Sequence, residues 1–120
     1  MLDKQSPNNI HNKIPNLEQG FNLPLLVLVE GKDIAGKPFK EKSIISYISH
    51  LGSSFWLTNP VSIDDELKLT IGLPPKLSEG KNLNLIVKGK VAFIEASGNQ
   101  NFRQRISLKF DSKYIIKSEE

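Results

Sequence analysis

A six-stranded, antiparallel, Greek-key-like β-barrel is the fold class this all-β sequence predicts, and three observations predict it. From Phe21 onward, short runs of leucine and β-branched residues alternate with Gly, Pro, Asn and Asp punctuation about every ten to fifteen residues. Residues 66–73 and 83–94 set apolar side chains at every second position, the period of a half-buried strand. Sustained helical periodicity is missing, and only 112–120 leaves room for a helix, at most a short one.

The elements follow in order. Residues 1–20 hold four Asn, two Pro and no aromatic, which offers little to bury against the entropy of ordering. They read as a flexible arm with Ile10, Ile14 and Leu17 as its docking points; the barrel then occupies 21–112 and a tail or short helix 113–120. Strand one, 25–30, is introduced by Pro24 and closed by Gly31. A turn at Gly36 and Pro38 leads into strand two, 39–48. Strand three, 54–58, stops at Asn59-Pro60, because proline cannot donate to a ladder. Strand four, 66–73, turns Leu67, Leu69 and Ile71 inward and ends at Pro74-Pro75. Strand five, 83–94, places Leu83, Leu85, Val87, Val91 and Phe93 on one parity. Gly89 shares that parity and predicts a bulge or sharp bend. After Ser97-Gly98-Asn99, strand six alternates Phe102, Ile106, Leu108 and Phe110 with Arg103, Arg105, Ser107 and Lys109.

Composition excludes several function classes. The length of 120 residues fits one domain, large enough to bury about two-thirds of its unfolded surface without staples. Zero cysteine removes disulfides, thiolate zinc and a thiol nucleophile. Two histidines are too few for a His-based metal site or a triad, and His11 stands in the arm without a ligating companion. The first twenty residues lack a secretory apolar core, and no run of about 18 apolar residues exists, so a soluble intracellular chain without membrane insertion is expected. There is no phosphate-cradling glycine loop and no nucleophile elbow, so an enzyme is not expected. The net charge of +3 conceals an uneven distribution: residues 81–117 carry eight basic residues against Glu95 and Asp111.

The stretch ISHLGSSFWLTNPVSIDDELKLTI, from Ile48 to Ile71, resembles a PilZ domain. Ser49 and Gly52 match the serine and glycine of that family's D/N-x-S-x-x-G motif. Phe55 and Leu57 fit the following strand, Pro60 the next turn, and Leu67, Leu69 and Ile71 the alternating strand after it. PLLVLVEGKDIAGKPFKEK looks like the family's first strand and hairpin, and VKGKVAFIE and RISLKF look like its last two core strands. The resemblance spans Leu23 to Phe110. It implies a six-stranded barrel, a bacterial cytoplasmic setting, and either cyclic di-GMP binding or an adaptor role in pili, motility or biofilm regulation. Cyclic di-GMP binders of the family also carry Arg-x-x-x-Arg before the first strand, where a planar guanidinium grips phosphate and stacks on guanine. Here the only arginines are Arg103 and Arg105, both in the last strand, and the arm offers only Lys4 and Lys13. The Asp/Asn position is Tyr47, and the glycine common in the turn before the fourth strand is Asp64.

Each candidate residue has two readings. Tyr47, Ser49 and Gly52 are the candidates for a vestigial nucleotide site: Ser49 and Gly52 form either that site or plain turn chemistry, and Tyr47 and His50, which flank them, either stack on a base or are a half-buried aromatic and a surface imidazole. Trp56 faces outward by parity, either covered by Tyr114, Ile115 and Ile116 or presented to a partner. Arg103, Arg105 and Lys109 share a face, with Lys88 and Lys90 beside them; they form a partner-binding row or simply keep sheet edges soluble. Asp64-Asp65-Glu66 lacks the spaced ligands and glycine of a calcium loop and reads as a solvated turn. The expected function is a PilZ-like adaptor that contacts another bacterial signalling or motility protein and binds cyclic di-GMP weakly or not at all, with no cofactor and no metal. The alternatives are a cyclic di-GMP receptor with a non-standard site and a barrel that holds single-stranded nucleic acid. The last is disfavoured, because Phe102 and Phe110 oppose the arginines in parity.

Overall fold

The computed structural model describes residues 24–73, 83–96 and 103–118. The expected arm, with Lys4, Ile10, His11, Lys13, Ile14 and Leu17, lies outside them, as do Pro74-Pro75, the turn at 97–99 and Phe102. Among the described residues there are seven strands: β1 Leu25–Lys32, β2 Pro38–Ile48, β3 Gly52–Leu57, β4 Glu66–Leu73, β5 Leu83–Ala96, β6 Gln104–Phe110 and β7 Ile115–Ser118. All pairings are antiparallel. The order β4-β1-β2-β3-β6-β5, with β5 returning to pair with β4, closes the six-stranded barrel.

Alternation builds the core as the period-two pattern predicts. Val29, Ile45, Phe55, Leu57, Leu69, Ile71, Val91 and Ile106 are fully buried. Two turns set the hairpin geometry. The Asp33 carboxylate accepts the Ala35 and Lys37 N–H groups, both at 2.9 Å, and Gly36 takes the left-handed conformation that closes β1 onto β2. Before β4, Asp64 itself is left-handed, with φ 76°, at the position where the family resemblance implies glycine. Its N–H donates to the Val91 carbonyl at 2.8 Å, while the Asp65 carboxylate accepts the Ser62 N–H at 2.8 Å. The acidic triplet is therefore a structured turn tied to β5.

Three expectations need correction. The bulge in β5 is not at Gly89 but at Ala92, where the register slips between Val91 and Phe93. Gly89 serves a different purpose, pairing with Leu67 on one side and Phe110 on the other where β5 passes from β4 to β6. A Cβ there would overlap the Lys109 carbonyl oxygen. Phe93, expected inward, is 57% exposed, because the extra residue reverses the parity and sends Ile94 against the core in its place. The C-terminal tail forms no helix among the described residues; β7 is a strand along Leu83–Ile86 of β5, on the edge that β6 occupies further on. Ser112 bridges the gap between β6 and β7, its hydroxyl accepting the Lys88 N–H at 3.2 Å.

Candidate functional site

The chain passes from β2 to β3 through Ser49–Gly52, and the sequence explains the shape of the turn. The Ser49 N–H donates to the Gly52 carbonyl at 2.9 Å, and the Leu51 N–H donates to the Ser49 hydroxyl at 3.1 Å, a serine closing its own local turn. Ser49 is buried. The Phe110 N–H donates to the Leu51 carbonyl at 2.9 Å and docks the turn on β6. A Cβ at Gly52 would overlap the Leu108 carbonyl oxygen, so the glycine permits the close approach of β3 to β6. The hydroxyl and the glycine of the motif are thus both engaged by the turn itself.

Tyr47 stands beside this turn. β2 carries its own bulge, with Ile45 opposite Phe55 but Tyr47 opposite Ser54, so Ser46 is the inserted residue. Without it Tyr47 would follow Ile45 inward; with it the ring faces out and is 37% exposed. Tyr47, Ser49, Gly52 and Lys109 line one shallow depression of about 570 Å³, together with Leu51 and Ser107. The structure therefore brings the three motif positions together with one member of the basic row.

The remaining members of that row separate. Arg105 lies opposite Trp56 in β3 and Glu95 in β5, and reaches Glu95 at 4.0 Å. Lys109 lies opposite Gly52 and Lys90. Arg103 precedes β6, outside the ladder and half-buried. Lys88 stands opposite Lys68 in β4, two residues before the Lys90 that faces Lys109. Trp56 is half-buried, and its carbonyl accepts the Ser43 hydroxyl at 2.6 Å. Of the two readings of Trp56, the strand register does not favour the C-terminal cover. Ile115 and Ile116 pair with the first residues of β5, whereas Trp56 aligns through Arg105 with Glu95, about 30 Å further along the strand.

Two residues escape a reading of the sequence. The bulge hides Phe93, although Val91-Ala92-Phe93-Ile94 carries a signal in its unbroken apolar run. Nothing in the sequence marks Glu41, yet its carboxylate accepts four hydrogen bonds: from the Thr58 N–H and hydroxyl at 2.9 and 3.0 Å, and from the Asn59 N–H and side-chain amide at 3.1 and 2.7 Å. Partial burial alone would raise its pKa; the bonds from Thr58 and Asn59 together outweigh burial and hold the carboxyl below the usual glutamate value. Glu41 fastens the turn after β3 to β2. Among the described residues no three metal-ligating side chains gather, and no helix is long and apolar enough to cross a membrane.

These features define a small closed β-barrel with a shallow, mixed aromatic and cationic outer depression. Its fold is similar to that of the Bacillus subtilis inhibitor of motility, MotI/DgrA, with a TM-score of 0.60 and 17% identity. The similarity covers 78% of this chain and 41% of that one, so the barrel accounts for less than half of the larger protein. No protein-family model matches the sequence, and no curated protein is detectably similar to it.

Proposed function

We propose that the chain is a PilZ-like bacterial signalling adaptor, cytoplasmic and non-enzymatic, that works by holding another protein of a signalling or motility system. One observation carries this reading: the barrel shares its fold with an inhibitor of motility, while Tyr47 replaces the guanine-reading carboxylate or amide and the arginines lie at β6. A phenol offers one hydroxyl where an acid or amide would read two edge positions. Losing that reader and two guanidinium clamps, at about 1.5–3 kcal/mol each, removes several orders of magnitude of affinity for cyclic di-GMP. Calorimetry with cyclic di-GMP is the test. The expected result is no heat at tens of micromolar nucleotide, and a submicromolar dissociation constant overturns the reading.

A second reading has its own observation. Tyr47, Ser49 and Lys109 line one depression, which offers a stacking surface, a polar edge and a cation to a nucleotide held in a non-standard way. The same titration discriminates, because such a receptor would show saturable heat that Lys109→Ala weakens.

A further inference from the structure

Two bulges, one in β2 and one in β5, do the same thing on opposite sides of the β3–β6 pair. Ser46 precedes Tyr47 and Ala92 precedes Phe93, and each insertion turns outward an aromatic ring that plain alternation would bury. The register then sets Tyr47, Ser54, Ser107 and Phe93 on one line across four strands. Three inter-strand spacings separate the two rings by about 14 Å at the backbone. Between them the floor is two serines, their hydroxyl oxygens 3.5 Å apart, with Ser54 only 9% exposed. Exposed aromatics on either side of a small-residue floor make a slot open to apolar side chains, and bulges are a recurrent means of re-aiming a side chain at a functional surface.

The charge beside this slot points the same way. Lys90 and Lys109 stand directly opposite each other in β5 and β6. A like-charged pair facing across strands destabilises a sheet. Glu66 is the next residue across from Lys90, but among the described residues neither lysine is in an ion pair. Arg105, one line away, is already matched to Glu95. Two such cations at one end of an aromatic slot fit a ligand that carries carboxylates alongside apolar side chains. A nucleic-acid strand would need a longer track of cations, and here Glu66 and Glu95 interrupt it.

We propose that the outer face of β3, β6 and β5 takes an extended, acidic segment of the partner protein, an apolar side chain lying between Tyr47 and Phe93 and its carboxylates meeting Lys90 and Lys109. The inference rests on the adaptor reading and names the chemistry of its partner. The test uses the full chain and three fluorescein-labelled probes read by anisotropy at low salt: a twelve-residue peptide repeating Glu-Leu-Glu-Ser, its Lys-for-Glu counterpart, and a twelve-nucleotide oligo-dT. The acidic peptide is expected to bind at least about tenfold more tightly than either of the others and to weaken as salt rises. Lys90→Glu combined with Lys109→Glu should reduce its affinity at least about tenfold, and Phe93→Ser about fivefold, while Leu26→Ser on the opposite side of the barrel changes nothing. The proposal is overturned if the acidic peptide does not saturate, if the basic peptide binds as well, if oligo-dT binds most tightly, or if the lysine pair is without effect. A self-association in sedimentation that Lys109→Glu abolishes also overturns it, by seating a second copy on this face. Failure here with silent cyclic di-GMP calorimetry removes this face alone; a submicromolar nucleotide constant removes the adaptor reading itself.

Discussion

On the outer face of β1, β2 and β4, Glu30 stands between Lys40 and Lys68 in register and lies 3.8 Å from each; on the face of β3, β6 and β5, Lys90 meets Lys109 with no ion-pair partner for either among the described residues. The two halves of one barrel thus differ: one satisfies Glu30 with two lysines, and the other pairs Arg105 with Glu95 but leaves Lys90 and Lys109 facing each other. On the opposite parity of β2, Glu41 is likewise satisfied, gathering four hydrogen bonds from the turn after β3. The difference separates charge that holds the barrel together from charge available to something outside it.

Substitutions can break or sharpen this contrast. Glu41→Ala should have the largest effect, a loss of about 1–2 kcal/mol in denaturant unfolding, because four donors lose their acceptor at once. Its pH dependence has a definite sign. A carboxyl whose folded pKa is depressed stabilises the protein above the ordinary glutamate value, and that stabilisation is lost as pH falls through the folded value. Stability of the wild type and Glu41→Gln should therefore diverge at neutral pH and converge as pH falls past the ordinary glutamate value and through the lower folded one. Glu30→Ala comes next, costing up to about 1 kcal/mol and less at high salt, since its partners are surface lysines. On the open face the sign reverses. Lys109→Glu would face Lys90 with an opposite charge and should stabilise the barrel by a few tenths to about 1 kcal/mol while impairing the peptide binding proposed above. Phe93→Ser should move stability least, within about 0.5 kcal/mol, because the ring is 57% exposed. A large loss of stability there would mean that the ring supports the fold rather than a surface.

Much of the barrel is legible in sequence, because period-two alternation in 66–73 and the first half of 83–94 specifies both strand and face. The bulges are not. A one-residue insertion leaves composition and strand length almost unchanged yet reverses every parity beyond it, so alternation alone puts Phe93 inward and Ile94 outward. Both insertions leave a local trace: Ser46-Tyr47-Ile48 and Ala92-Phe93-Ile94 each crowd apolar residues where alternation calls for one. The tail misleads for a different reason. Tyr114-Ile115-Ile116 is too short to show any period, and only the free edge of β5 makes it a strand. The Ser49–Gly52 motif is visible as a motif, but only the folded chain reveals that the turn engages its hydroxyl and that β6 requires its glycine.

The pairing of β3 with β6 also bears on how the chain is made. Gly52–Leu57 finds its partner only when Gln104–Phe110 has been synthesised, almost fifty residues later. At about 5–20 residues per second, the edge bearing Trp56 waits several seconds with its ladder unmade. Non-local pairing of this kind folds slowly. During that interval the nascent chain exposes Phe55, Trp56 and Leu57 along an open edge to whatever passes, so heat or rapid overexpression should drive aggregation through β3 well before the finished barrel approaches its own melting point.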